Sequence, residues 1–338
     1  MSLKSYIVLI LMLSAGIVVP STANAKSPPP PPPSLSGITA KAAIVMDNSS
    51  GKILGFKYAD QRLPMASTTK IMTALLTIEA IKAGKVKRLD KVRVYTYKSN
   101  GKLFKKGTRE PLLKLLMALM VRSANEAALS LAYHVSKNKR EGAMTGPPLP
   151  GDYSNFIKRM NRRAKQLKMV NTHFENPHGR DPEDMSDKCS GNQFKKKGCK
   201  HYSTARDLAL LTRYALTKPL FKTLVKARYY YGQKNTNYLF VWNNTKESRW
   251  KKSGWKAYGV KTGTTNRGGH CLVSAAKKGK KDVIVVVLGS TIKWERKRGD
   301  DYWNSNTKKV MRDGKEINNS QRFEDTLTLF KWADKKLK

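Results

Sequence analysis

A hydroxyl and an amine lie one helical turn apart in the stretch Ser67-Thr68-Thr69-Lys70. Pro64 precedes this stretch and a mainly apolar run follows it, which predicts a helix start with Ser67 and Lys70 on one face. A serine hydroxyl becomes a nucleophile when a base takes its proton. Lysine can be that base only when it is neutral, which requires burial or a nearby cation to lower its pKa from about 10.4. The pair therefore indicates nucleophilic catalysis, with free N–H groups of the helix start available to an oxyanion.

Two further motifs support this interpretation, because Ser-x-x-Lys alone occurs by chance in many chains. Ser123-Ala124-Asn125 follows a strongly apolar predicted helix, and Lys261-Thr262-Gly263 lies in a strand-like stretch. Ser-x-x-Lys, Ser-x-Asn and Lys-Thr-Gly in this order are the signature of class A β-lactamases and penicillin-binding proteins. The alternative, a polar first turn of a surface helix, does not account for the other two motifs.

Beyond the motifs, the chain resembles the low-molecular-mass penicillin-binding proteins, the serine-type D-alanyl-D-alanine carboxypeptidase family (peptidase family S11). The resemblance covers roughly residues 39 to 338 and is closer to this group than to the β-lactamases. Five further stretches carry it: Ala42–Asp47, Gly51–Leu54, Asn176–Gly179, His201–Ala209 and Lys261–Val273.

The resemblance implies catalytic roles for the first two motifs. Ser67 attacks the carbonyl between the last two D-alanines of a peptidoglycan stem peptide, and Lys70 takes its proton. Ser123 relays a proton to the leaving amine, while Asn125 orients Lys70 and holds the substrate amide. The result is an acyl-enzyme on Ser67, which water then hydrolyses. Penicillins would acylate the same serine.

The third motif is implied to bind substrate. Lys261 supplies positive charge that lowers the pKa of the catalytic lysine and attracts the substrate carboxylate. Thr262 and Thr264 bind that carboxylate through their hydroxyls, and Gly263 lets the substrate backbone approach the strand as an added partner. The backbone N–H groups of Ser67 and Thr264 would form the oxyanion hole.

Three other functions stay open at this point. A serine β-lactamase needs an additional acid that activates water for deacylation; Glu175 lies in the right interval, but its surroundings match the DD-peptidase pattern. A D-alanyl-D-alanine endopeptidase uses the same machinery on cross-links, and Asn235-Thr236-Asn237 is compatible with either peptidase. Arg180 stands where the family usually has leucine, which leaves substrate preference open. A non-catalytic wall-binding protein is disfavoured by the intact motifs.

The N-terminal residues predict export. Residues 1–25 read as a secretory signal, with an apolar stretch at 6–19 and the cleavage site Ala23-Asn24-Ala25. The apolar stretch is shorter than the ~20 residues of a membrane span. Residues 26–38 contain a run of prolines and predict a stiff, extended linker. We expect the catalytic domain at 39–338, located in the periplasm or cell wall.

The hydrophobic pattern predicts an α/β fold of the β-lactamase/DD-peptidase type. An antiparallel sheet draws strands from both chain ends and is flanked by helices, with a mainly helical region inserted between. The cleft where the two parts meet is the expected active site. Helices are predicted at 67–84, 109–136, 152–168, 203–217 and from Phe323 to Leu337, and strands at 42–47, 53–57, 258–264, 269–276 and 283–290.

A large positive charge is the other conspicuous feature. The 66 Lys and Arg residues exceed the 24 Asp and Glu residues and give a net charge of +42. Such a field attracts polyanions, and for an exported protein these are anionic wall polymers or an anionic membrane surface. The alternative is a merely solvated basic surface. We expect no nucleic-acid partner, because no recognition module is visible and the chain is predicted to be exported.

Cysteine and histidine usage predicts one disulfide and no metal site. Cys189 and Cys199 lie in the stretch 181–200, which the family resemblance does not cover and which looks like a loop insertion. Disulfides persist outside the cytoplasm, so these two cysteines are predicted to pair. Cys271 is expected to be a buried free thiol in a strand. The histidines lack metal-ligand spacing, and no cofactor is expected.

Overall fold

The structure, a computed structural model, describes residues 33–96, 103–136, 153–181, 201–237, 239, 249–290, 301–304, 309–312, 315–317 and 321–337. The predicted signal, most of the linker and nearly all of the predicted insertion, including Cys189 and Cys199, lie outside these residues. Within the described part of the chain, no helix combines the length and apolarity needed to cross a membrane.

Helices and strands follow the predicted order. The helices are α1 (Lys70–Lys82), α2 (Leu112–Met117), α3 (Asn125–Ser136), α4 (Ser154–Gln166), α5 (Ala205–Leu216), α6 (Pro219–Lys226), α7 (Arg249–Lys252) and α8 (Gln321–Lys336). The strands are β1 (Ala42–Asp47), β2 (Ile53–Lys57), β3 (Lys91–Arg93), β4 (Arg109–Pro111), β5 (Tyr229–Tyr230), β6 (Gln233–Lys234), β7 (Lys256–Thr265), β8 (Gly269–Lys278), β9 (Lys281–Ser290), β10 (Asp301–Asn304), β11 (Lys309–Arg312) and β12 (Lys315–Ile317).

The main sheet joins the two ends of the chain, as predicted. Its strand order is β2-β1-β9-β8-β7, and every neighbouring pair is antiparallel. The contact between the two ends is the β1–β9 ladder, in which Ile44 is opposite Val286. Among the strands that the structure describes, β7 is therefore an edge strand, and an extended partner could add to the side that does not pair with β8.

Each face of this sheet covers a separate hydrophobic cluster, because side chains alternate along a strand. Ile44 and Met46 of β1 pack with the helical region formed by α1 to α6, whereas Ala43 and Val45 face the other way. The second cluster is closed by α8, which buries one apolar side, and by two buried tryptophans. Its large members are Trp250, Trp255, Phe323, Leu327 and Phe330. Both faces of the sheet are thus covered by hydrophobic packing.

The prediction of one helix over 109–136 is wrong. Residues 109–111 instead pair with β3, and α2 begins only after Pro111. The backbone then widens into a π-helical turn at Ala118–Arg122 and breaks at Ser123, whose φ of 60° is left-handed. α3 restarts at Asn125. The apolar pattern continued through this break, so the pattern alone did not reveal it.

Two other helix ends agree with their sequence signals. The side chain of Thr204 accepts a hydrogen bond of 3.0 Å from the backbone N–H of Asp207 and caps α5. α1 ends at Lys82, and Gly84 two residues later has a φ of 67° that lets the chain turn away from the helix. At its start, α1 is preceded by a 3₁₀ turn over Ala66–Thr69, so Ser67 lies just before the α-helix and Lys70 is its first residue.

Candidate active site

Ser67 and Lys70 are in direct contact at the start of α1. Lys70 Nζ lies 2.8 Å from Ser67 Oγ, 2.7 Å from Asn125 Oδ1 and 2.6 Å from the carbonyl oxygen of His178. The last two oxygens can only accept, and a neutral amine has two hydrogens and one lone pair. In the neutral form, the two hydrogens go to Asn125 and His178 and the lone pair is left for the serine hydroxyl, whereas a protonated amine donates to all three oxygens.

The surroundings of Lys70 favour this neutral form. The side chain is fully buried, and burial lowers its pKa from 10.5 to about 7. Two charges modify the effect of burial: Glu126 raises the pKa of Lys70, and Arg180 lowers it. A group with a pKa near 7 is half deprotonated at neutral pH and suits a general base.

The loop that carries the His178 carbonyl is fixed from two sides. Asn176 Oδ1 accepts hydrogen bonds from the backbone N–H groups of His178 (3.2 Å) and Gly179 (2.6 Å). Thr73 of α1 donates to the carbonyl of Pro177 at 2.6 Å. The sequence resemblance included this loop without assigning it a role; the structure places its carbonyl on the catalytic amine.

Gly179 packs directly on the turn that holds Ser67. It adopts φ of +80°, and a Cβ placed there would lie 2.0 Å from the carbonyl oxygen of Ala66. Ala66 itself has a left-handed φ of 48°. The close approach keeps this unusual turn in place, so a glycine is required beside the nucleophile.

A buried histidine is linked by hydrogen bonds to the turn that holds Ser67. His201 Nδ1 accepts from the backbone N–H of Glu175 at 3.0 Å, so its Nε2 carries the proton and donates to Thr69 Oγ1 at 2.9 Å. Thr69 then donates to the Ala66 carbonyl at 2.8 Å. Burial lowers the pKa of His201 to about 3, which keeps the ring neutral. This chain of bonds positions the nucleophile and includes no group that would change its protonation near neutral pH.

The break between α2 and α3 contains Ser123 and brings Asn125 to the site. The left-handed backbone at Ser123 ends one helix, and Asn125 at the start of the next holds Lys70. In the part of the chain that the structure describes, Ser123 Oγ makes no hydrogen bond to Ser67 or Lys70. Its predicted role as a proton relay stays a prediction.

Lys261 lies in β7 beside the catalytic lysine. It is buried, and its Nζ donates to the carbonyl of Thr262 at 2.9 Å. Burial lowers its pKa well below the usual value, and the positive charges of Lys70 and Arg322 lower it further. The main causes of the lowered pKa of Lys70 are burial and Arg180, so we attribute less of that effect to Lys261 than the sequence reasoning did.

Gly263 has a second reason to be glycine. A Cβ at this position would lie 3.0 Å from the backbone nitrogen of Ser67 and 3.0 Å from Ala66 Cβ. β7 thus lies against the nucleophile turn, with Thr264 exposed at the next position. This contact places the strand segment at Gly263 and Thr264 next to the backbone N–H of Ser67.

Arg322 is a site residue that sequence reasoning missed. Its Nη1 donates to the carbonyl of Gly263 at 2.9 Å and to Thr264 Oγ1 at 2.8 Å. α8 is held at this end because Asp325 accepts three hydrogen bonds from Thr39 and Ala40, next to β1. A buried arginine in the first turn of a helix opposes the helix dipole, and that mismatch was the available sequence signal.

A pair of threonines closes the other side of the strand. Thr236 Oγ1 lies 2.7 Å from Thr262 Oγ1, and the Thr236 N–H donates to the Val121 carbonyl at 3.0 Å. The Asn-Thr-Asn segment therefore links the end of the π-helical turn to β7. Asn237 completes the link by donating to the carbonyl of Gly259 at 3.0 Å.

Cys271 is free and buried, as predicted, and burial raises the pKa of its thiol to about 11. Such a thiol stays protonated near neutral pH and is a poor nucleophile. Among the described residues, no group of three His, Cys, Asp or Glu side chains is placed to hold a metal ion.

Together, the sheet and this site place a serine hydroxyl in contact with a buried lysine amine at the start of one helix, beside the strand that carries Lys261. A family model described as D-alanyl-D-alanine carboxypeptidase, peptidase S11, matches residues 23–291, and the chain belongs to that family. The predicted family and fold class are thereby confirmed.

Individual relatives agree with this assignment. The D-alanyl-D-alanine carboxypeptidase DacF of Bacillus subtilis is 32% identical over 261 residues, which are 76% of this chain and 59% of that protein. The chain thus spans about three fifths of that relative's length. The D-alanyl-D-alanine endopeptidase of Escherichia coli is 30% identical, covering 78% of this chain and 76% of that protein. A point mutant of the Streptomyces K15 DD-transpeptidase superposes with a TM-score of 0.60 at 27% identity, covering 88% of this chain and 100% of that one.

Proposed function

We propose that this chain is an exported serine-type D-alanyl-D-alanine carboxypeptidase that works through an acyl-enzyme on Ser67. One observation carries the proposal: the buried amine of Lys70, with its pKa lowered to about 7, lies 2.8 Å from Ser67 Oγ. The amine is held by two acceptors that leave its lone pair for the hydroxyl. Family membership supplies the substrate class, a stem peptide ending in D-Ala-D-Ala.

The proposed reaction has two half-steps. Ser67 Oγ attacks the carbonyl carbon of the penultimate D-alanine while its proton passes to Lys70 Nζ. The negative oxygen that forms is stabilised by the backbone N–H groups of Ser67 and Thr264. The C–N bond then breaks, the leaving D-alanine takes a proton through Ser123, and an ester on Ser67 remains. Water attacks that ester, the stem peptide leaves as its acid, and the serine regains its proton.

The terminal carboxylate of the substrate would bind beside Thr262 and Thr264 of β7, next to Arg322. Arg322 supplies a cation that keeps its charge at every relevant pH, because guanidinium does not lose its proton in proteins. Its hydrogen bond to Thr264 Oγ1, at 2.8 Å, orients that hydroxyl. Thr262 and the buried Lys261 complete the set, so the carboxylate has hydroxyl donors beside a fixed charge.

A labelling experiment tests the proposal. Purified wild-type protein and the Ser67→Ala variant are incubated with a fluorescent penicillin and analysed by gel and intact mass. We expect a stable adduct on the wild type and none on the variant, with unchanged circular dichroism. Rapid turnover without a stable adduct would identify a β-lactamase, and no reaction of the wild type would identify a non-catalytic wall-binding protein.

Endopeptidase activity on cross-links is the second candidate. Endopeptidases of Escherichia coli and Pseudomonas aeruginosa are 30% and 28% identical to this chain, over 76% and 82% of their own lengths. Mass analysis of digested muropeptides separates the two activities. Loss of one alanine from pentapeptide stems indicates a carboxypeptidase, whereas conversion of dimers to monomers indicates an endopeptidase.

We also propose that the signal is removed after Ala25 and that the enzyme works in the periplasm or cell wall. Substrate chemistry supports this location, because peptidoglycan lies outside the cytoplasm. N-terminal sequencing of the exported protein tests it. The net charge of +42 supports an additional weak association with anionic wall polymers or membrane surface.

A further inference from the structure

An unusual tyrosine forms the tip of the β5–β6 hairpin. Tyr231 and Gly232 connect the two strands and have φ of 45° and 73°, as in a type I′ turn. The first position of such a turn favours Asn, Asp or Gly, because a bulky side chain is strained at positive φ. A tyrosine there costs stability and gives the turn nothing in return. Strained residues of this kind mark functional positions when the surrounding structure holds them in place.

The Tyr231 ring is exposed and yet fixed. It is 76% exposed, and it packs edge-on against Tyr230 with 4.8 Å between ring centroids. Lys114 Nζ lies 5.3 Å from its centroid and is itself held by Glu110 at 2.8 Å. Tyr230 is buried and contacts Phe104. An aromatic surface is thus presented to solvent while its other side rests on Tyr230 and Lys114, and these contacts reduce the rotamer freedom that would be lost on binding.

The hairpin is fastened beside the active site. Arg122, the residue before Ser123, donates a hydrogen bond to the carbonyl of Lys234 at the base of the hairpin. Two residues later, Thr236 contacts Thr262 of β7. Tyr231 is three residues from Lys234, so the tip lies within about 11 Å of that anchored base.

We propose that Tyr231 is a stacking platform for a pyranose ring of the glycan strand that carries the stem peptide. This inference rests on the proposed function and adds a sugar-binding site to it. The C–H groups on one face of a pyranose form an apolar surface that packs on an aromatic ring, while the sugar hydroxyls stay in water. Four amino acids separate the scissile carbonyl from the sugar, and they extend over at most about 14 Å. The hairpin tip lies within about 11 Å of a base that is joined to β7 through Thr236, a distance of the same order as the length of the stem peptide.

A glycan fits these observations better than a lipid surface. The residues of β6 next to the turn, Gln233 and Lys234, are both exposed and polar. Insertion into a bilayer would have to bury them with the ring, whereas stacking against one sugar leaves them hydrated. Lys114 beside the ring can donate to sugar hydroxyls or N-acetyl groups.

Two variants of Tyr231 test the proposal. Tyr231→Asn removes the ring and introduces a residue that suits the turn; Tyr231→Phe keeps the ring. The substrates are a free stem pentapeptide and the same pentapeptide carried on a glycan oligomer. For Tyr231→Asn we expect kcat/KM to fall about fivefold on the glycan-linked substrate, equal to about 1 kcal/mol, and to stay unchanged on the free peptide. Tyr231→Phe should match the wild type on both, and Tyr231→Asn should melt no lower than the wild type.

Tyr58→Asn is the matched control, because Tyr58 is 69% exposed and has a similar φ of 42° on a different loop. It should leave both substrates unaffected. The proposal is overturned if Tyr231→Asn lowers cleavage of both substrates equally, or of neither. It is also overturned if Tyr231→Asn cleaves both substrates like the wild type but no longer binds anionic vesicles, because the ring would then contact a lipid surface. If the wild type cleaves neither substrate, the proposed function is refuted. The sugar-binding site is then tested by titrating the wild type and Tyr231→Asn with the glycan oligomer alone, and equal affinities would overturn it.

Discussion

At the residue scale, the proposed chemistry depends on the charge state of Lys70. When the amine is neutral, its two hydrogens go to Asn125 and His178 and its lone pair is left for Ser67 Oγ. A lysine that merely supplied charge would not need burial, because burial opposes its charged form. The geometry therefore predicts different consequences for removing the base and for removing the charge.

Lys70→Arg keeps the charge and removes the base, because arginine does not lose its proton in proteins. We expect acylation by penicillin to fall at least a hundredfold, a loss of about 2.7 kcal/mol in transition-state stabilisation. Stopped-flow labelling measures the rate. Lys82→Arg, at the exposed end of the same helix, is the control and should react like the wild type. Acylation above about a tenth of the wild-type rate in Lys70→Arg would show that Lys70 is not the base.

The pH dependence of acylation follows from the same group. The neutral form of Lys70 is the active one, so the rate should rise with pH through a midpoint near its pKa of about 7. Arg180 lowers that pKa, so Arg180→Leu should move the midpoint to higher pH and slow the enzyme at pH 7. Arg267→Leu, beside the same loop through the contact of its backbone N–H with Asp181, is the control. A midpoint that moves to lower pH would contradict the assignment.

The motif residues could be predicted from sequence, and their supports could not. Ser67, Lys70 and Lys261 belong to short sequence motifs, which can be recognised without knowing the fold. Arg322 lies 58 positions from Thr264 along the chain, and only the packing of α8 against the sheet brings the two together. The carbonyl of His178 had no signal at all, because every residue has a carbonyl group.

At the element scale, the break before α3 shows where pattern reading fails. Apolar residues continue from α2 through the π-helical turn, and periodicity cannot distinguish that turn from a regular helix. The left-handed backbone at Ser123 is stabilised by tertiary contacts, such as the hydrogen bond from Thr236 to Val121. The central sheet was predicted well because β1, β8 and β9 are continuous apolar runs that are buried on both faces, and such runs bounded by turns are a local signal.

Gly179 offers a test of how tightly two elements are joined. Gly179→Ala would meet the Ala66 carbonyl at 2.0 Å, in addition to the strain of its φ of +80°. Gly107→Ala is the matched control, with φ of +81° and no atom within 4 Å. The control should lose about 1 kcal/mol of unfolding free energy from backbone strain alone, and Gly179→Ala should lose at least about 2 kcal/mol more. Denaturant unfolding measures both, and equal losses would contradict the packing argument.

The predicted insertion at 181–200 supplies the next test. Cys189 and Cys199 lie outside the described residues, so their pairing stays a prediction based on export and on a lysine-rich loop that would otherwise be untied. Closing this loop should stabilise the exported protein by about 2–3 kcal/mol without being essential to catalysis. Non-reducing peptide mapping decides the matter, because free thiols at both positions, or a bridge from either to Cys271, would contradict it.

At the scale of the whole molecule, the sheet explains why the site contains residues so distant in sequence. β1 from one end of the chain pairs with β9 from the other, and the helical region between them returns Ser67 and Asn125 to the edge of β7. Sequence patterns predicted that topology, since the family resemblance and the strand periodicity agree. The orientation of each side chain in the cleft required the packing of three separate segments.

The charge of the whole molecule predicts adhesion to anionic surfaces. On α4, the exposed residues Lys158, Arg162 and Lys165 follow at spacings of four and three, so they form one ridge. Among the described residues, no carboxylate forms an ion pair with any of them. We expect the mature protein to sediment with anionic wall or vesicle preparations at low salt. Binding should fall steeply toward 1 M salt, as the screening length shrinks from about 10 Å at 0.1 M to about 3 Å.

Replacing all three ridge residues by glutamine should weaken this adhesion and flatten its salt dependence, because fewer counterions are exchanged on binding. The control replaces Lys251, Lys252 and Lys256 by glutamine, which removes the same charge from the segment around α7 and the start of β7. If both triple variants lose adhesion equally, the net charge of the whole molecule attracts the anionic surface, and the α4 ridge is not a specific binding site. Binding that persists unchanged at 1 M salt would contradict electrostatic attraction itself, and would indicate an uncleaved N-terminal anchor or a specific receptor.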